Sequence, residues 1–327
     1  MVATGDFNLD GQPDLVTANP DSNMAGVHLG DGFGAFAAEV GYATGAYPTS
    51  VAVGDFNLDR RPDLAVTNYQ SWTVSILLGA GDGSFGPAQD RPAAFNPSFV
   101  AAGDFNQDGM PDLVLANQGQ YSVGVLLARG DGAFAAEVDY ALGSGSTAYW
   151  IAVGDFNLDH ALDLVTANGT TVSVLLGQGD GTFAAQPEYA TDAYPVSVAV
   201  GDFNLDGIAD LALANLYADT VGVLLANGDG TFGAEVAYPA GSSPYSVVTA
   251  DINLDGTPDL VTANRGVNTV SVLLGEGDGT FAARQDHVIG VASVDAVVGD
   301  FNLDGTPDLA IASTLWSIVS VLLGCSR

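Results

Sequence analysis

The sequence predicts an all-β fold: a seven-bladed β-propeller of four-stranded antiparallel blades, with three strands in the last blade. The first observation behind this prediction is a repeat, because the segment Gly-Asp-Phe-Asn-Leu-Asp recurs with small changes along the 327 residues. The second is the content of each copy, which holds four short β-rich segments bounded by Gly, Asp, Asn and Pro, without helical spacing of apolar residues. Four strands per repeat, stacked radially, make a propeller, which typically has about four to eight blades. A linear β-solenoid, whose rungs are shorter, is the alternative.

The repeat is regular enough to divide the chain. The first aspartates of successive copies are 49, 49, 51, 47, 49 and 49 residues apart, at Asp6, Asp55, Asp104, Asp155, Asp202, Asp251 and Asp300. Such a period is the signature of a repeat architecture. We predict a single domain over residues 1–327, with repeats that start near residues 2, 51, 100, 151, 198, 247 and 296.

The fifth copy shows the order of elements within one repeat. It runs through a first strand at 197–201, an acidic loop at 202–210, a second strand at 211–214, a third at 221–225, a Gly-Asp-Gly turn at 228–230 and a fourth strand that ends near Tyr238. Strands one to three are apolar on both faces, which is typical of sheets covered on both sides. The sequence stops after a third strand at 319–323. We therefore expect a three-stranded last blade that meets the first blade through side-chain packing.

Charge and composition exclude several classes of protein. There are 39 acidic residues against 7 Lys and Arg, a net charge of −32, so few cations are present to neutralise nucleic-acid phosphates or an anionic membrane surface. Cys325 is the only cysteine, which excludes an internal disulfide. No apolar run approaches the roughly 18 residues that span a bilayer, so we expect no membrane insertion. No signal peptide is visible after Met1, which leaves three alternatives: a cytosolic protein, a mature form or a piece cut from a larger precursor.

Each copy contains an acidic loop with the pattern Asp-x-Asn-x-Asp-Gly-x-x-Asp, with the Gly replaced in two copies. Positions 1, 3, 5 and 9 carry side-chain oxygens, and position 7 offers its backbone carbonyl. Alternating oxygen ligands let a tight loop surround one hard cation, and Ca²⁺ accepts about six to eight oxygens. We therefore predict up to seven Ca²⁺ ions. The predicted ligands, loop by loop, are Asp6, Asn8, Asp10, Gln12 and Asp14; Asp55, Asn57, Asp59, Arg61 and Asp63; Asp104, Asn106, Asp108, Met110 and Asp112; Asp155, Asn157, Asp159, Ala161 and Asp163; Asp202, Asn204, Asp206, Ile208 and Asp210; Asp251, Asn253, Asp255, Thr257 and Asp259; and Asp300, Asn302, Asp304, Thr306 and Asp308.

A metal-free interpretation is that Asp and Asn only cap their own backbone in Asx turns. Seven loops with three carboxylates each favour calcium, since these carboxylates repel one another without a cation. The loop is not an EF-hand, because position 12 is never Glu and the flanking segments are strands. We expect weaker sites in the second and fourth loops, where Arg60 and His160 replace the Gly and Arg61 adds a positive charge. The Asp of each Gly-Asp-Gly turn is predicted to be a turn residue.

These motifs resemble the FG-GAP, or VCBS, repeats of integrin α-subunit propellers and of many bacterial surface proteins. The resemblance covers essentially the whole chain, through Gly-Asp-Phe-Asn-x-Asp-Gly-x-x-Asp-Leu, Val-x-Val-Leu-Leu-Gly and Gly-Asp-Gly-x-Phe. It implies a seven-bladed propeller, calcium in the loops that join first and second strands, and an extracellular or cell-surface location. Fungal lectins of similar build bind sugars between blades. Position 3, which is Asp in the family, is Asn in all seven copies, so the calcium affinity should be lower.

The turns between strands two and three, and those that lead to the next blade, should lie on the face opposite the acidic loops. They vary most between copies, and exposed aromatic side chains on such turns are favoured anchors for a partner. The candidate contact residues are Tyr69, Trp72, Tyr121, Trp150, Tyr217 and Trp316. Tyr47 and Tyr194 precede Pro at blade starts and are expected to wedge between blades.

A monomeric protein-binding or adhesion module is the first functional hypothesis. A carbohydrate-binding lectin is the second, although no polar-aromatic pocket recurs between copies, and an accessory domain of a larger secreted enzyme is the third. The chain itself is not expected to be an enzyme, because His28, His160 and His287 lie at non-equivalent positions without a matching nucleophile.

Overall fold

A computed structural model describes residues 1–143, 147–185, 188–191, 194–289, 293–313 and 319–324. In these ranges the chain forms seven antiparallel sheets, one from each repeat, and no helix. The fold class is the seven-bladed β-propeller that the sequence predicts. In the described part of the chain there is no helix with the length and apolar character that crossing a membrane requires.

The strands of each blade follow one another in chain order across the sheet. The first three blades consist of β1 (Val2–Gly5), β2 (Asp14–Asn19), β3 (Met24–His28) and β4 (Val40–Ala43); β5 (Pro48–Gly54), β6 (Asp63–Asn68), β7 (Thr73–Leu77) and β8 (Gln89–Pro92); and β9 (Pro97–Gly103), β10 (Asp112–Asn117), β11 (Ser122–Leu126) and β12 (Val138–Ala141).

The fourth and seventh blades differ from the others. Blade four has five strands, because two short strands, β16 and β17, both pair with β15, while blade seven has three, as predicted. The remaining strands are β13 (Trp150–Gly154), β14 (Asp163–Ala167), β15 (Thr171–Gly177), β16 (Phe183–Ala185) and β17 (Tyr189–Ala190); β18 (Pro195–Gly201), β19 (Asp210–Asn215), β20 (Thr220–Leu224) and β21 (Val236–Pro239); β22 (Pro244–Ala250), β23 (Asp259–Asn264), β24 (Thr269–Leu273) and β25 (Gln285–Val288); and β26 (Ser293–Gly299), β27 (Asp308–Ser313) and β28 (Val319–Leu322).

Internal contacts divide the chain into two compact units. Unit 1 comprises residues 1–151, 178–182 and 299–304, and unit 2 comprises 152–177, 183–298 and 305–327. Unit 1 therefore holds blades one to three, the Gly-Asp-Gly turn of blade four and most of the acidic loop of blade seven. The single domain over 1–327 stays a prediction.

The apolar core of each unit lies between neighbouring sheets, because the second strand of every blade is buried along its whole length. Within unit 1, Val16 of blade one and Val66 of blade two belong to one buried cluster. Within unit 2, Ala212 of blade five and Leu260 of blade six do the same. Apolar side chains on both faces of these strands are buried in this way.

Pairs of phenylalanines repeat between neighbouring blades. The Phe at position 2 of an acidic loop is almost fully buried and stands edge-on to the Phe that follows the Gly-Asp-Gly turn of the next blade. The ring centroids are 5.5 to 5.7 Å apart in the pairs Phe7–Phe85, Phe56–Phe134, Phe156–Phe232, Phe203–Phe281 and Phe301–Phe36. The last pair lies within unit 1 and joins the loop of blade seven to blade one, and this is the side-chain packing expected at that junction.

Candidate functional site

The acidic loops are tight turns held by their own hydrogen bonds. In the first loop the Asp6 carboxylate accepts the backbone N–H groups of Asp10 and Gly11 at 3.0 and 2.9 Å. The Asn8 amide donates to Asp10 Oδ2 at 2.9 Å, and Asp10 Oδ1 accepts the N–H of Gln12 at 2.9 Å. The bond from the Asn amide to the position-5 carboxylate is present in all seven loops at 2.8 to 3.2 Å. It offsets part of the repulsion between the acidic side chains.

Position 6 of the loop has a positive φ whichever residue occupies it. The angle is 82 to 88° at the five glycines, 67° at Arg60 and 68° at His160. The two non-Gly residues are therefore in a conformation that disfavours a side chain. Arg61 Nη1 lies 4.0 Å from Asp59 Oδ2, and His160 Nδ1 lies 3.8 Å from Asp155 Oδ2. These neighbours compete for carboxylates in the two loops that the sequence predicts to be weaker.

The aspartate at position 9 is fully buried at the start of the second strand. Asp14 Oδ2 accepts the N–H of Phe7 at 2.8 Å, and its Oδ1 accepts the N–H of Gly30 at 2.7 Å. The same side chain thus ties the acidic loop to the residue that follows the third strand. Sequence analysis predicts position 9 only as a metal ligand and misses this role. The sequence does contain a signal for this role: a charged residue stands at the first position of an apolar strand that is expected to be buried. A buried charge requires hydrogen-bond partners in fixed positions.

Burial raises the pKa of these aspartates. Their backbone hydrogen bonds lower the pKa and offset part of this rise, and the nearby loop carboxylates raise it slightly further. The pKa is raised to about 6 for Asp63 and Asp163, in the second and fourth loops. It is also raised at Asp14, Asp112, Asp210 and Asp259. A carboxyl group with a pKa of about 6 is still mostly ionised near pH 7, so it can hold a cation there and would lose it in mild acid.

Asp104 and Asp112, at positions 1 and 9 of the third loop, are expected to respond differently to replacement by Ala. Without calcium, D112A leaves the buried N–H groups of Phe105 and Ala128 without their acceptor, while the loss of a buried charge offsets part of that cost. We expect D112A to lower the free energy of unfolding by about 2 to 4 kcal/mol and D104A by less than about 1 kcal/mol. Urea unfolding in chelator measures both. Equal losses in the two variants would contradict a separate role for position 9.

The oxygen donors of the loops are chemically suited to a hard cation. Each carboxylate oxygen has room for a second interaction beside the hydrogen bond that it accepts, so these bonds do not exclude a metal. In the described ranges, however, no group of three or more His, Cys, Asp or Glu side chains converges as a metal site. The loops fit calcium by donor type, while their arrangement is that of self-bonded turns.

Six of the seven acidic loops, those with Phe at position 2, are also bonded to the Gly-rich turn of the following blade. The turn is Gly-Asp-Gly in five blades and Gly32-Phe33-Gly34 in blade one, and its second Gly donates its N–H to the carbonyl of the loop phenylalanine at 2.9 to 3.1 Å. We call this bond the latch, and it joins Gly83 to Phe7, Gly132 to Phe56, Gly181 to Phe105, Gly230 to Phe156, Gly279 to Phe203 and Gly34 to Phe301. The Asp of the turn, as at Asp82, accepts the N–H two residues later at 3.0 Å, which is the behaviour of a turn residue.

Aromatic side chains, all exposed except the half-buried Tyr69, cluster in unit 1 on the turns between strands two and three and on the turns between blades. Tyr47 and Tyr69 have ring centroids 6.2 Å apart, and those of Trp72 and Phe95 are 4.4 Å apart. Trp72, Phe95 and Tyr121 are each 45 to 49% exposed. We call these five residues the aromatic patch. Asn96, which follows Phe95 in the chain, donates its side-chain amide to the Tyr69 carbonyl at 3.1 Å. This hydrogen bond links the turn that carries Phe95 to the turn that carries Tyr69.

Several aromatic residues lie elsewhere than the sequence predicts. Tyr47 is 39% exposed, so the prediction that it wedges between blades is wrong. Tyr194 is partly buried, and its ring is 4.8 Å from that of Tyr217, which is exposed. Trp150 packs on Phe99 at 4.5 Å, outside the aromatic patch. Phe95 was missed, although it comes shortly before a Pro at a blade start, and Trp316 lies outside the described residues.

Three members of the aromatic patch have a left-handed backbone, and one of them is Tyr47 with φ of 60°. Trp72 and Tyr121 end their turns with φ of 56 and 55°, at the position where other blades have Asn23, Asp219 and Asn268. Asn and Asp adopt this conformation readily, whereas for a bulky side chain it is an outlier. The aromatic side chains at these positions are thus present despite a local backbone cost.

The fold and the repeated loops define a β-propeller in which every repeat carries one acidic loop between its first and second strands. The sequence profile of the FG-GAP-like repeat matches residues 6–66, 55–115, 104–166, 157–213, 202–262 and 251–311. The chain belongs to this family. No curated protein sequence matches it.

Solved structures with the same fold have diverse roles. BBS1N, solved in complex with ARL6DN, is 16% identical with a TM-score of 0.69, and the match covers 98% of this chain and 90% of that one. An Agrocybe aegerita lectin that recognises non-reducing terminal N-acetylglucosamine is 18% identical (TM-score 0.63; 96% and 85% covered). The Pseudomonas aeruginosa periplasmic gluconolactonase PpgL is 14% identical (TM-score 0.67; 98% and 87% covered). At these identities the likeness shows the fold alone.

Proposed function

We propose that this chain is a calcium-binding, non-catalytic β-propeller that acts outside the cell as a monomeric protein-binding or adhesion module. Calcium has a structural role in the proposal: the acidic loops hold the ions, and the aromatic patch, on the turns at the other ends of the strands, contacts the partner. The proposal has two independent supports, one for each part.

The calcium part rests on the composition and repetition of the loops. Seven loops each bring three carboxylates, one amide oxygen and one backbone carbonyl within nine residues, and a divalent ion stabilises such a group of like charges. The Asp6, Asp10 and Asp14 side chains, with Asn8 and the Gln12 carbonyl, would hold the ion in the first loop. The ion would supply charge neutralisation and no chemistry. A setting with abundant calcium, as outside the cell, suits loops of lowered affinity.

The partner-binding part rests on one observation, the placement of exposed aromatic rings at left-handed positions of the turns. Aromatic side chains supply large contact areas and are enriched among residues that dominate binding energy. A ring that is half exposed at Tyr121 gains little for folding, while its backbone conformation costs about 1–2 kcal/mol. Residues that weaken folding locally tend to cluster at functional sites. A protein partner is favoured because the patch is a broad surface across neighbouring turns.

Tyr121→Asn is expected to stabilise the protein by about 1 kcal/mol and to abolish or strongly weaken partner binding. Asn relieves the left-handed backbone strain, and removal of the ring removes the proposed anchor. Urea unfolding measures the first effect. Tyr217→Asn is the matched control, because this exposed tyrosine is in unit 2 and outside the aromatic patch. A Tyr121→Asn variant that is destabilised and binds its partner normally would contradict the prediction.

The partner class is tested by selection of a displayed peptide library on the folded protein, with a glycan array in parallel. We expect selected peptides whose binding decreases at least about tenfold in Trp72→Ser and Tyr121→Asn. Sugar binding that depends on the same residues would instead make the protein a lectin. Binding in neither assay would contradict the proposed function.

A further inference from the structure

One position in the fourth strand closes the space between neighbouring blades. It lies six residues after the phenylalanine that follows the Gly-Asp-Gly turn, and it is occupied by Tyr42, Arg91, Tyr140, Tyr189, Tyr238 and His287. In blades one, four and five the tyrosine ring stands edge-on to the phenylalanine of the following blade, with centroids 5.4 to 5.8 Å apart. Blade two has Arg91 in place of this aromatic ring.

A cavity of about 520 Å³ lies beside Arg91, between the outer strands of blades two and three within unit 1. One wall carries Arg91 and Ala94, and the other carries Glu137 and Asp139, with Phe134 and Gln120 also in the lining. Its size is in the range of small-molecule sites, about 300–1,000 Å³.

The two walls of this cavity are joined by the hydrogen bond from the Ala94 N–H to Glu137, but the Arg91 guanidinium forms no ion pair with the carboxylates opposite. Arg91 makes no ion pair within 4.0 Å in the described part of the chain, its Nε is buried without a hydrogen-bond partner, and its Nη2 reaches only Gln89 at 3.4 Å. A buried guanidinium N–H without an acceptor is costly, and it is available to hydrogen-bond a water, an ion or a ligand in the cavity.

The acidic wall is held rigidly. Glu137 accepts the Asn117 amide at 2.7 Å and the N–H of Ala94 at 2.8 Å. Asp139 Oδ1 accepts the hydroxyl of Ser122 at 3.0 Å. Burial raises the pKa of Glu137, with a further contribution from the Asp139 carboxylate, although the Asn117 hydrogen bond opposes it. Both carboxyl groups are therefore positioned before any ligand arrives, so little ordering is required on binding.

The equivalent space one blade earlier lacks this arrangement. A smaller cavity of about 380 Å³ is lined by Tyr42, Ala88 and Asp90, which correspond to Arg91, Glu137 and Asp139. It has a carboxylate but no cation in its lining. The opposed charges thus belong to the space between blades two and three, and the earlier cavity provides an internal control.

We propose that the cavity beside Arg91 binds a small zwitterion of the free α-amino acid class. The ligand's carboxylate faces the Arg91 guanidinium, and its ammonium faces Asp139 and Glu137. A neutral sugar is less suited, because the only aromatic ring in the lining, Phe134, is 8% exposed and offers little ring face for stacking. This inference goes beyond the proposed function, since it involves neither the acidic loops nor the aromatic patch.

The test is isothermal titration of the full chain with each of the twenty standard L-amino acids, singly, at concentrations up to about 10 mM. We expect saturable binding of at least one of them. Its N-acetyl and methyl-ester derivatives, which each lack one charge, should bind at least about tenfold more weakly. Arg91→Gln and Asp139→Asn should weaken binding by a similar factor.

Two variants serve as matched controls. Asp90→Asn changes the carboxylate of the earlier cavity, and Arg284→Gln removes a cation that pairs with Asp286 at 3.2 Å in blade six, so both should bind normally. Arg91→Tyr restores the residue type of the other blades and is expected to fold as well as the parent while it loses binding. Its melting curve separates loss of the site from loss of the fold.

The proposal is overturned by the absence of saturable binding to all twenty amino acids. It is also overturned if the blocked derivatives bind equally well, or if Arg91→Gln and Arg91→Tyr leave binding unchanged. A monosaccharide panel titrated in the same way gives the remaining outcome, since Arg91-dependent sugar binding without amino-acid binding would replace the proposed ligand class. None of these results changes the expectation for calcium or for the aromatic patch.

Discussion

Removal of calcium is expected to lower the melting temperature by roughly 20 °C or more. A ligand bound only by the folded state at a hundredfold excess over its dissociation constant adds about 2.7 kcal/mol per site to the free energy of unfolding. Five loops with Gly at position 6 would together add on the order of 13 kcal/mol by this reasoning. Calorimetric scans in calcium and in chelator measure the difference, with magnesium as the ionic control. Superimposable scans would refute the calcium part of the proposal.

Limiting calcium should distinguish the loops. Arg60 and His160 occupy the positive-φ position, and Arg61 Nη1 lies 4.0 Å from Asp59, so the second and fourth loops are expected to fill last. Arg60→Gly combined with Arg61→Gln should raise the affinity of the second loop. Titration calorimetry of parent and variant measures this change, and equal occupancy of all seven loops in the parent at limiting calcium would contradict it.

In chelator, the protein is expected to be more stable at about pH 5 than at about pH 7, and the difference comes from buried aspartates. The pKa of Asp63 and of Asp163 rises from 3.8 to about 6 on folding. Between these two values the folded state holds more protons than the unfolded state, so stability is complete below pH 3.8 and is lost as the pH rises through about 6. The full shift corresponds to about 3 kcal/mol per residue as an order of magnitude, of which roughly 1 kcal/mol per residue lies between pH 5 and pH 7.

Urea unfolding in chelator at the two pH values tests this expectation. Asp163→Asn, which does not titrate, should reduce the difference, while Asp155→Asn at position 1 of the same loop should reduce it less. Saturating calcium should weaken the trend, because the ion favours the ionised carboxylates that low pH removes. A free energy of unfolding that stays constant or increases from pH 5 to pH 7 in chelator would contradict the assignment.

The fold could be predicted from the sequence almost completely, because the information is local and repeated. Seven aspartates at near-constant spacing mark the blades, and short apolar segments between turn residues mark the strands. The three-stranded last blade follows from the same count. The two-part fourth strand of blade four could not be predicted, since it depends on which residues pair with β15.

The sites were less predictable because they depend on burial and on neighbours from other blades. Asp14 has the residue type and spacing of a ligand, but its bonds to Phe7 and Gly30 appear only when the third strand is in place. Tyr47 was expected to wedge between blades because it precedes Pro, yet the left-handed backbone at this residue leaves its ring exposed. Arg91 became notable only when its neighbours across the blade boundary were known.

The latch gives the repeats a direction. Six of the seven acidic loops hold the turn of the following blade, so we expect a change in one of these loops to affect that following blade more than the preceding one. A peptide inserted at a Gly-Asp-Gly turn would break the latch hydrogen bond at that turn, whereas a peptide inserted between strands two and three would leave the latches intact. Engineering that grafts new segments onto this scaffold should therefore use the latter turns.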